Sequence, residues 1–283
     1  MRDRKQYNQR TNTSYDREQR AKYGQNYIKD PSLVRRLLEK TTVDERDTVL
    51  EIGPGQGVFT REILERAGQL VSIEIDDGNV QYLKDMYKEE IKSKQLEIVH
   101  KDALLFEYRW AQTNIVDNHY KIVASIPYSI SSELFKKFLL KKPMPSEAWF
   151  TVQKEFAQRV LGGFVNGNDG LLSVMILSFY EGRIVHEFAR EDFSPVPAVD
   201  SVFLELTARH DVPELVTMHF GEYKDLVRNG YQQPIRTVQK FFSEKVSANK
   251  LQQLADKHKF KLKELTTELS ARQWQAIFVE SLM

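Results

Sequence analysis

Three glycines at alternate positions, directly after an apolar run, are the first place in this chain where residue types and spacing could do chemistry. The segment Val49-Leu50-Glu51-Ile52-Gly53-Pro54-Gly55-Gln56-Gly57 reads as a buried strand entering a loop and then a helix. Glycine lets the backbone approach a nucleotide-like ligand and adopt conformations barred to other residues, so the segment reads as a ligand loop at a strand's C-terminal end; the alternative is a mere tight turn. A dinucleotide fingerprint wants G-x-G-x-x-G with a pyrophosphate over the helix N-terminus, whereas this loop is E-x-G-x-G-x-G. The leading Glu51 suits a cationic group by charge complementarity, which favours the ammonium or sulfonium of S-adenosylmethionine over NAD. Glu74, 21 residues after Gly53, ends the next apolar run, where a carboxylate can accept both hydrogen bonds of a ribose diol. Asp102, past a third apolar run, is placed to accept from the amino group of the ligand's adenine, with Ala103 beside it, or is only a turn residue.

The tetrapeptide Ser125-Ile126-Pro127-Tyr128 follows the apolar run Lys121 to Ala124. The lone pair of an exocyclic base amine is delocalised into the ring, so methylating it requires acceptors that hold the amine hydrogens and let nitrogen pyramidalise. A backbone carbonyl and a polar side chain do this. The base must also leave its stack, and an aromatic ring at the pocket mouth replaces the lost stacking with roughly 1 to 3 kcal/mol. Tyr128 is such a ring, and Pro127 fixes the turn that aims the carbonyls. None of the six histidines lies within five residues of another, so local H-x-x-x-H spacing is absent and no metal is expected.

Alternating elements must position these groups. Thr48 to Ile52, Leu70 to Ile75, Leu96 to Val99, Lys121 to Ala124 and Ala148 to Gln153 read as buried strands. Helical patterns run between them over Val58 to Ala67, Asn79 to Ser93, Ser131 to Lys141 and Lys154 to Leu161. The alternation predicts an α/β, doubly wound, Rossmann-like fold. After the loop Asn166 to Gly170, Leu171 to Tyr180 reads as a helix, and Arg183 to Phe188 with Ser201 to Thr207 as two closing antiparallel strands. The turn Phe193-Ser194-Pro195-Val196-Pro197 joins those strands, because two prolines cannot sit inside a central strand. Beyond Pro213, Leu251, Leu254, Leu262, Leu265, Leu269, Trp274, Ile277 and Phe278 recur at helical spacing. We therefore expect a flexible basic arm over 1–22, a catalytic domain over 23–212 and a small helical domain over 213–283.

With 41% hydrophobic, 29% charged and 11% aromatic residues among 283, the chain has material for a core and is neither wholly disordered nor fibrous. The absence of cysteine excludes disulfides, thiolate zinc sites and a cysteine nucleophile, and fits a reducing compartment, so a cytoplasmic location is expected. The longest apolar stretch, around Leu171 to Phe179, is about half of a bilayer span, and the polar start has no apolar h-region; neither secretion nor membrane insertion is expected. The formal charge is only +1, but its distribution is uneven. Residues 1–22 carry seven Lys/Arg against three acids, and 224–264 carry ten against Asp225, Glu244, Asp256 and Glu264. Lys136, Lys137, Lys141 and Lys142 form a third cluster. Each reads alone as a solvated face, but their concurrence points to nucleic acid.

Five segments together resemble the rRNA adenine-N6 methyltransferase family, which comprises the erythromycin-resistance (Erm) enzymes and the small-subunit rRNA dimethyltransferases: Tyr23 to Tyr27, Glu51 to Gly57, Ile73 to Asp76, Ser125 to Tyr128, and Phe193 to Ser201. The likeness spans about residues 23–283. It implies a monomeric, metal-free enzyme that uses S-adenosylmethionine. Gln25, Asn26 and Tyr27 would lie near the methionine end, Gly53, Gly55 and Gly57 would form the cofactor loop behind Glu51, Glu74 with Ile75 would hold the ribose, and Asp102 with Ala103 would contact the adenine. Ser125, Ile126, Pro127 and Tyr128 would handle the target base. Phe156 matches a family aromatic able to cover the base's other face, or is a core residue at a helix start. Lys136, Lys137, Arg228, Arg236 and Lys240 are assigned to the RNA surface.

The family's commonest tetrapeptide begins with Asn where this chain has Ser125. Serine still accepts a hydrogen bond, and some Erm-like members also lack Asn there, so activity is expected to survive. That tolerance and the Glu155-Phe156-Ala157 run favour an Erm enzyme, which methylates an adenine of 23S rRNA once or twice and thereby weakens macrolide, lincosamide and streptogramin B binding. The alternatives are a 16S rRNA adenine dimethyltransferase of ribosome biogenesis, a catalytically silent RNA-binding relative, and a small-molecule methyltransferase that would not need the basic arms.

Overall fold

The computed structural model describes residues 27–108, 115, 119–162, 170–233 and 236–283. The expected 1–22 arm, Gln25, Asn26 and most of the 166–170 loop lie outside the described residues. The chain opens with the short strand β1 (Tyr27–Ile28) and helix α1 (Pro31–Leu38). That helix starts where Asp30 accepts the Ser32 N–H at 2.9 Å and Pro31 occupies the first turn, and it buries Leu33, Val34, Leu37 and Leu38.

The α/β body follows in chain order as β2 (Thr48–Ile52), α2 (Val58–Leu64), β3 (Gln69–Glu74), α3 (Asp77–Met86), α4 (Lys88–Lys92), β4 (Leu96–His100), β5 (Tyr120–Ser125), α5 (Ser131–Leu139), β6 (Glu147–Gln153), α6 (Lys154–Val160), α7 (Leu171–Phe179), β7 (Tyr180–Glu187), β8 (Phe193–Ser194) and β9 (Ser201–Ala208). Five parallel strands and two antiparallel ones make a seven-stranded sheet in the order β4-β3-β2-β5-β6-β9-β7. The Rossmann-like fold is thus present. Its parallel strands are apolar on both faces because helices cover both. Leu50, Ile52, Ile122, Ala124 and Phe150 join one core with α5 to α7, while Val49, Val123, Trp149 and Phe203 join another with α1 to α3.

The strand order reverses between β2 and β5, whose C-terminal ends are in register, with Ile52 opposite Ala124. A sheet of this kind opens a crevice at that point, beyond the carboxyl ends of the strands. The glycine loop and Ser125 both sit there.

Three local features depart from the sequence pattern. The helical stretch expected over Asn79 to Ser93 is two helices, broken at Tyr87, which has φ −113 and ψ 37 and donates its hydroxyl to the Gly57 carbonyl at 3.3 Å. Strand β7 begins at Tyr180, not Arg183, because Tyr180 pairs with Ala208 of β9. A two-stranded ribbon, β1 with β8, pairs Tyr27 with Ser194 and Ile28 with Phe193; two residues carry no readable period.

The remaining helices are α8 (Glu214–Met218), α9 (Phe220–Gln232), α10 (Val238–Phe242), α11 (Ala248–His258) and α12 (Ala271–Ser281). Two of them, α9 and α12, pack on α7: the Tyr223 and Ser178 hydroxyls lie 2.6 Å apart and Gln275 donates to the Ser178 carbonyl at 2.7 Å. Val216, Tyr223, Val227, Trp274 and Phe278 share one apolar core with the α5 to α7 face of the sheet. Among the described residues no helix is long and apolar enough to cross a membrane.

Gly230 of α9 lies under the Trp274 indole, where an added Cβ would stand 2.3 Å from Cη2. Gly230→Ala should therefore overpack the joint and destabilise the fold by about 1–3 kcal/mol. A clear drop in the thermal midpoint is the expected result; an unchanged midpoint would show that the indole has room to slide.

Candidate active site

The crevice is built on a left-handed turn. Gly53, Gly55 and Gly57 have φ of +70, +55 and +81, a region that side-chain residues rarely adopt, so the alternate glycines are a backbone requirement. The Gly53 N–H donates to the Ile73 carbonyl and the Gly57 N–H to the Pro54 carbonyl, both at 2.9 Å. Tyr27 lies directly over Gly55: a Cβ there would meet its ring at 2.4 Å. The ring thus caps the loop from the β1 side.

Glu74 closes the floor. Its side chain is buried, with Oε2 accepting the Gly55 N–H at 2.9 Å and Oε1 accepting the N–H groups of Ile75 and Asp76 at 2.8 and 2.9 Å. Burial raises its pKa against the pull of those donors. The same carboxylate therefore holds the loop's shape from beneath; it is 1% exposed and does not itself line the concavity. Ile75 beside it is 39% exposed. Asp102, just beyond β4, has Oδ1 engaged by the Leu104 N–H at 2.8 Å, so the turn role is present.

Across the crevice, Ser125 ends β5 and its carbonyl lies 3.7 Å from where a Gly53 Cβ would sit. Pro127 then leads into a short 3-10 turn, Tyr128–Ile130, ahead of α5. One concavity is lined by Tyr27, Gly53, Pro54, Ser125 to Tyr128 and Phe193. The Tyr128 hydroxyl lies 2.5 Å from the Ser201 hydroxyl, and burial raises the phenol's pKa. The structure thus brings Tyr27, the glycine loop and the Ser125 to Tyr128 turn to one place.

Two expectations are corrected. Glu51 does not line the concavity: it is 1% exposed, and its Oε2 accepts from Thr60 of α2 at 2.8 Å and Ser72 of β3 at 2.7 Å. It shares the strand face of Val49, between sheet and helix, so its charge meets hydroxyls rather than a cationic ligand. Phe156 is also absent from the lining: it packs edge-on against Phe135 at 4.9 Å between ring centroids and belongs to the α5 to α7 core. Phe193, on the turn whose residues the sequence had marked without a role, lines the concavity with Tyr27, Phe59 and Tyr128, although it is itself 1% exposed and packs edge-on against Phe188. The signal was its place in FSPVPAVDS; no helical or strand period distinguishes it from Phe156.

The basic residues divide. Lys136 and Lys137 stand in the last turn of α5, and Lys137 is drawn toward Asp102 and Glu107 while burial and Lys141 lower its pKa. Lys224 of α9 donates to the Leu140 carbonyl at 2.8 Å and lies 4.0 Å over the Phe220 ring, near Arg228 and Lys141. Lys137, Lys141, Lys224 and Arg228 thus form one positive zone across α5 and α9, although Arg228 also pairs with Asp225. Among the described residues no hydrogen bond or ion pair ties Arg236 or Lys240 to it. Among the described residues no three His, Cys, Asp or Glu side chains gather as a metal site.

Burial pushes the Glu51 pKa up to about 7 from its ordinary 4.5, against the Ser72 and Thr60 hydrogen bonds, and its Oε1 has no partner among the described residues. Below pH 4.5 folded and unfolded chains both hold the proton; between 4.5 and about 7 only the folded one does. Stability should therefore fall as pH rises through that window, by about 3 kcal/mol, and level off above it. Glu51→Gln is expected to remove this slope in urea melts taken from pH 4.5 to 8; a slope unaltered by the substitution would place the titrating group elsewhere.

Comparison with known proteins supplies the context for this geometry. A family model described as ribosomal RNA adenine dimethylase matches residues 16–281. The ribosomal RNA small subunit methyltransferase A of Clostridium botulinum (strain Kyoto / Type A2) is 31% identical over 183 residues, which cover 65% of this chain and 65% of that protein. The Mycoplasmopsis pulmonis protein of the same name is 26% identical over 223 residues, 79% of this chain and 84% of that one. The match to the clostridial relative thus spans just under two thirds of its length. Among solved structures, that of the 23S rRNA methyltransferase ErmE superposes with a TM-score of 0.72 at 26% identity, covering 91% of this chain and all of that one. A dimethyladenosine transferase from Plasmodium falciparum has the same fold, with a TM-score of 0.67 at 23% identity over 89% of this chain and 96% of that one. With nearly its whole length matched by the family model, and with the glycine loop and the Ser-Ile-Pro-Tyr turn facing each other across the switch point, the chain belongs to the ribosomal RNA adenine dimethylase family.

Proposed function

We propose that this protein transfers methyl groups from S-adenosylmethionine to N6 of an adenine in 23S ribosomal RNA in the cytoplasm, and that the modified base weakens macrolide, lincosamide and streptogramin B binding. The observation that carries the reading is the meeting of the left-handed glycine turn and the Tyr128 and Phe193 rings on one concavity.

The residues fit the methyl donor. The side-chain-free backbone at Gly53 leaves room beside the Ser125 carbonyl, and Glu74 presents a buried carboxylate at the end of β3, the position suited to a ribose diol. When bound there, S-adenosylmethionine supplies an activated methyl group. The chain's own residues do the rest: the Ser125 hydroxyl and the carbonyls of the Ser125 to Pro127 turn act as acceptors for the amine hydrogens, and Tyr128 and Phe193 hold the base that has left its stack. Phe193 takes the role first given to Phe156. The positive zone of Lys137, Lys141 and Arg228 binds phosphates.

The large-subunit reading is supported by the ErmE likeness, which covers 91% of this chain and the whole of that one. The 31% identity to relatives named for the small subunit supports 16S rRNA as the second reading. Incubating protein-free bacterial 23S and 16S rRNA with the purified protein and labelled S-adenosylmethionine separates them: label in 23S alone is expected, label in 16S alone establishes the second reading, and no label in either defeats both.

Tyr128→Ala should lower turnover roughly ten- to a hundredfold by removing one stacking face, while affinity for S-adenosylmethionine stays nearly intact. Equal loss of cofactor binding, measured by calorimetry, would contradict the assignment. RNA binding should weaken steeply with added salt, as phosphate contacts require.

A further inference from the structure

Ser201 opens β9 and is 2% exposed. Its backbone is fixed from both sides, paired in register with Gln153 of β6 and accepting the Phe188 N–H at 3.0 Å. The residue before it, Asp200, is held as well: its carboxylate takes the Arg190 guanidinium at 2.7 Å and its carbonyl the Lys154 N–H at 2.9 Å. Ser201 Oγ is therefore a fixed post, and it stands 2.5 Å from the Tyr128 hydroxyl.

Tyr128 lies past the strand, and its backbone is tied only locally, its carbonyl accepting the Ser131 N–H. It lies on a single 3-10 turn, where the Ile130 N–H and the Ser131 hydroxyl both reach the Pro127 carbonyl at a long 3.3 Å. A tyrosine side chain on such a turn has two torsions to settle, and stacking on a base tolerates one ring plane. A hydroxyl tether at the far end of the ring removes that freedom before any substrate arrives. Burial keeps the phenol protonated, so the tether is a neutral hydrogen bond across the range in which the protein would work.

We infer that Ser201 is a positioning residue that sets the ring plane of Tyr128 for the target base. The inference rests on the reading of Tyr128 as the stacking wall. It gives the 193–201 turn two tasks in one piece: Phe193 at its start lines the concavity, and Ser201 at its end holds the opposite ring.

The test is a double-mutant cycle read on the rRNA that the unaltered protein methylates. Ser201→Ala should lower kcat about five- to tenfold, the loss of one hydrogen bond, with S-adenosylmethionine affinity and the thermal midpoint little changed. Tyr128→Phe keeps the ring and loses the tether, so it should show a similar loss, and the double variant should be no slower than either single one. Ser201→Thr keeps the hydroxyl and should restore turnover to within about twofold. Undiminished turnover in Ser201→Ala, or losses that multiply in the double variant, would overturn the assignment. Crystals of the unaltered protein and of Ser201→Ala give a readout independent of any RNA: the Tyr128 ring should be single in the first and spread or rotated in the second, and an identical ring in both would sink the tether. Should the unaltered protein label no rRNA, the methyltransferase reading fails, and the crystals still decide the role of Ser201.

Discussion

A buried carboxylate accepting a glycine N–H is the constraint on which this molecule depends. Glu74 reaches from the end of β3 to Gly55 in the loop after β2, and its other oxygen gathers the N–H groups of Ile75 and Asp76. A desolvated carboxylate is costly unless donors surround it, and a left-handed loop is costly unless something fixes it. Each need is met by the other. The Gly53 N–H to the Ile73 carbonyl adds a second tie between the same two strands, so loop and floor form a preset surface that needs no ligand to assemble. Neighbouring Asp76 then caps α3 through the Asn79 N–H at 2.8 Å, which carries the constraint into the covering helix.

The other wall has a different source of rigidity. The Ser125 to Tyr128 turn leaves a central parallel strand that is buried on both sides, but the tyrosine lies past the last strand residue. Its orientation comes from the antiparallel part of the sheet, through Ser201. The closing strands β7 and β9 therefore do more than finish the sheet. They bring the residues after β8 back over the crevice from the side opposite the glycine loop.

Much of this was legible in the sequence because it depends on backbone rules. Alternate glycines after an apolar run require a left-handed turn at a strand end, and alternating short apolar runs with helical patterns require a doubly wound sheet, whose switch point then locates the crevice. Side-chain direction was not legible. In a strand buried on both faces an acid such as Glu51 carries no sign of which face it takes, and the structure puts it with Val49 against Thr60 and Ser72. Phe156 and Phe193 are equally aromatic and equally near a motif; only the fold shows that one is buried in the α5 to α7 core and the other in the opposite core, at the edge that borders the crevice. The union of Tyr128 with Ser201 joins residues 73 positions apart and has no local signature. Neither does the two-residue ribbon of β1 with β8.

That ribbon makes the two halves of the crevice mechanically continuous. Tyr27, whose ring roofs Gly55, is the backbone partner of Ser194, and Ile28 is the partner of Phe193. Tyr27 and Phe193 both line the same concavity, so the ribbon ties two of its walls by backbone hydrogen bonds. Roof and wall of the crevice thus share one pair of backbone partners, although 166 residues separate Tyr27 from Phe193 in the chain.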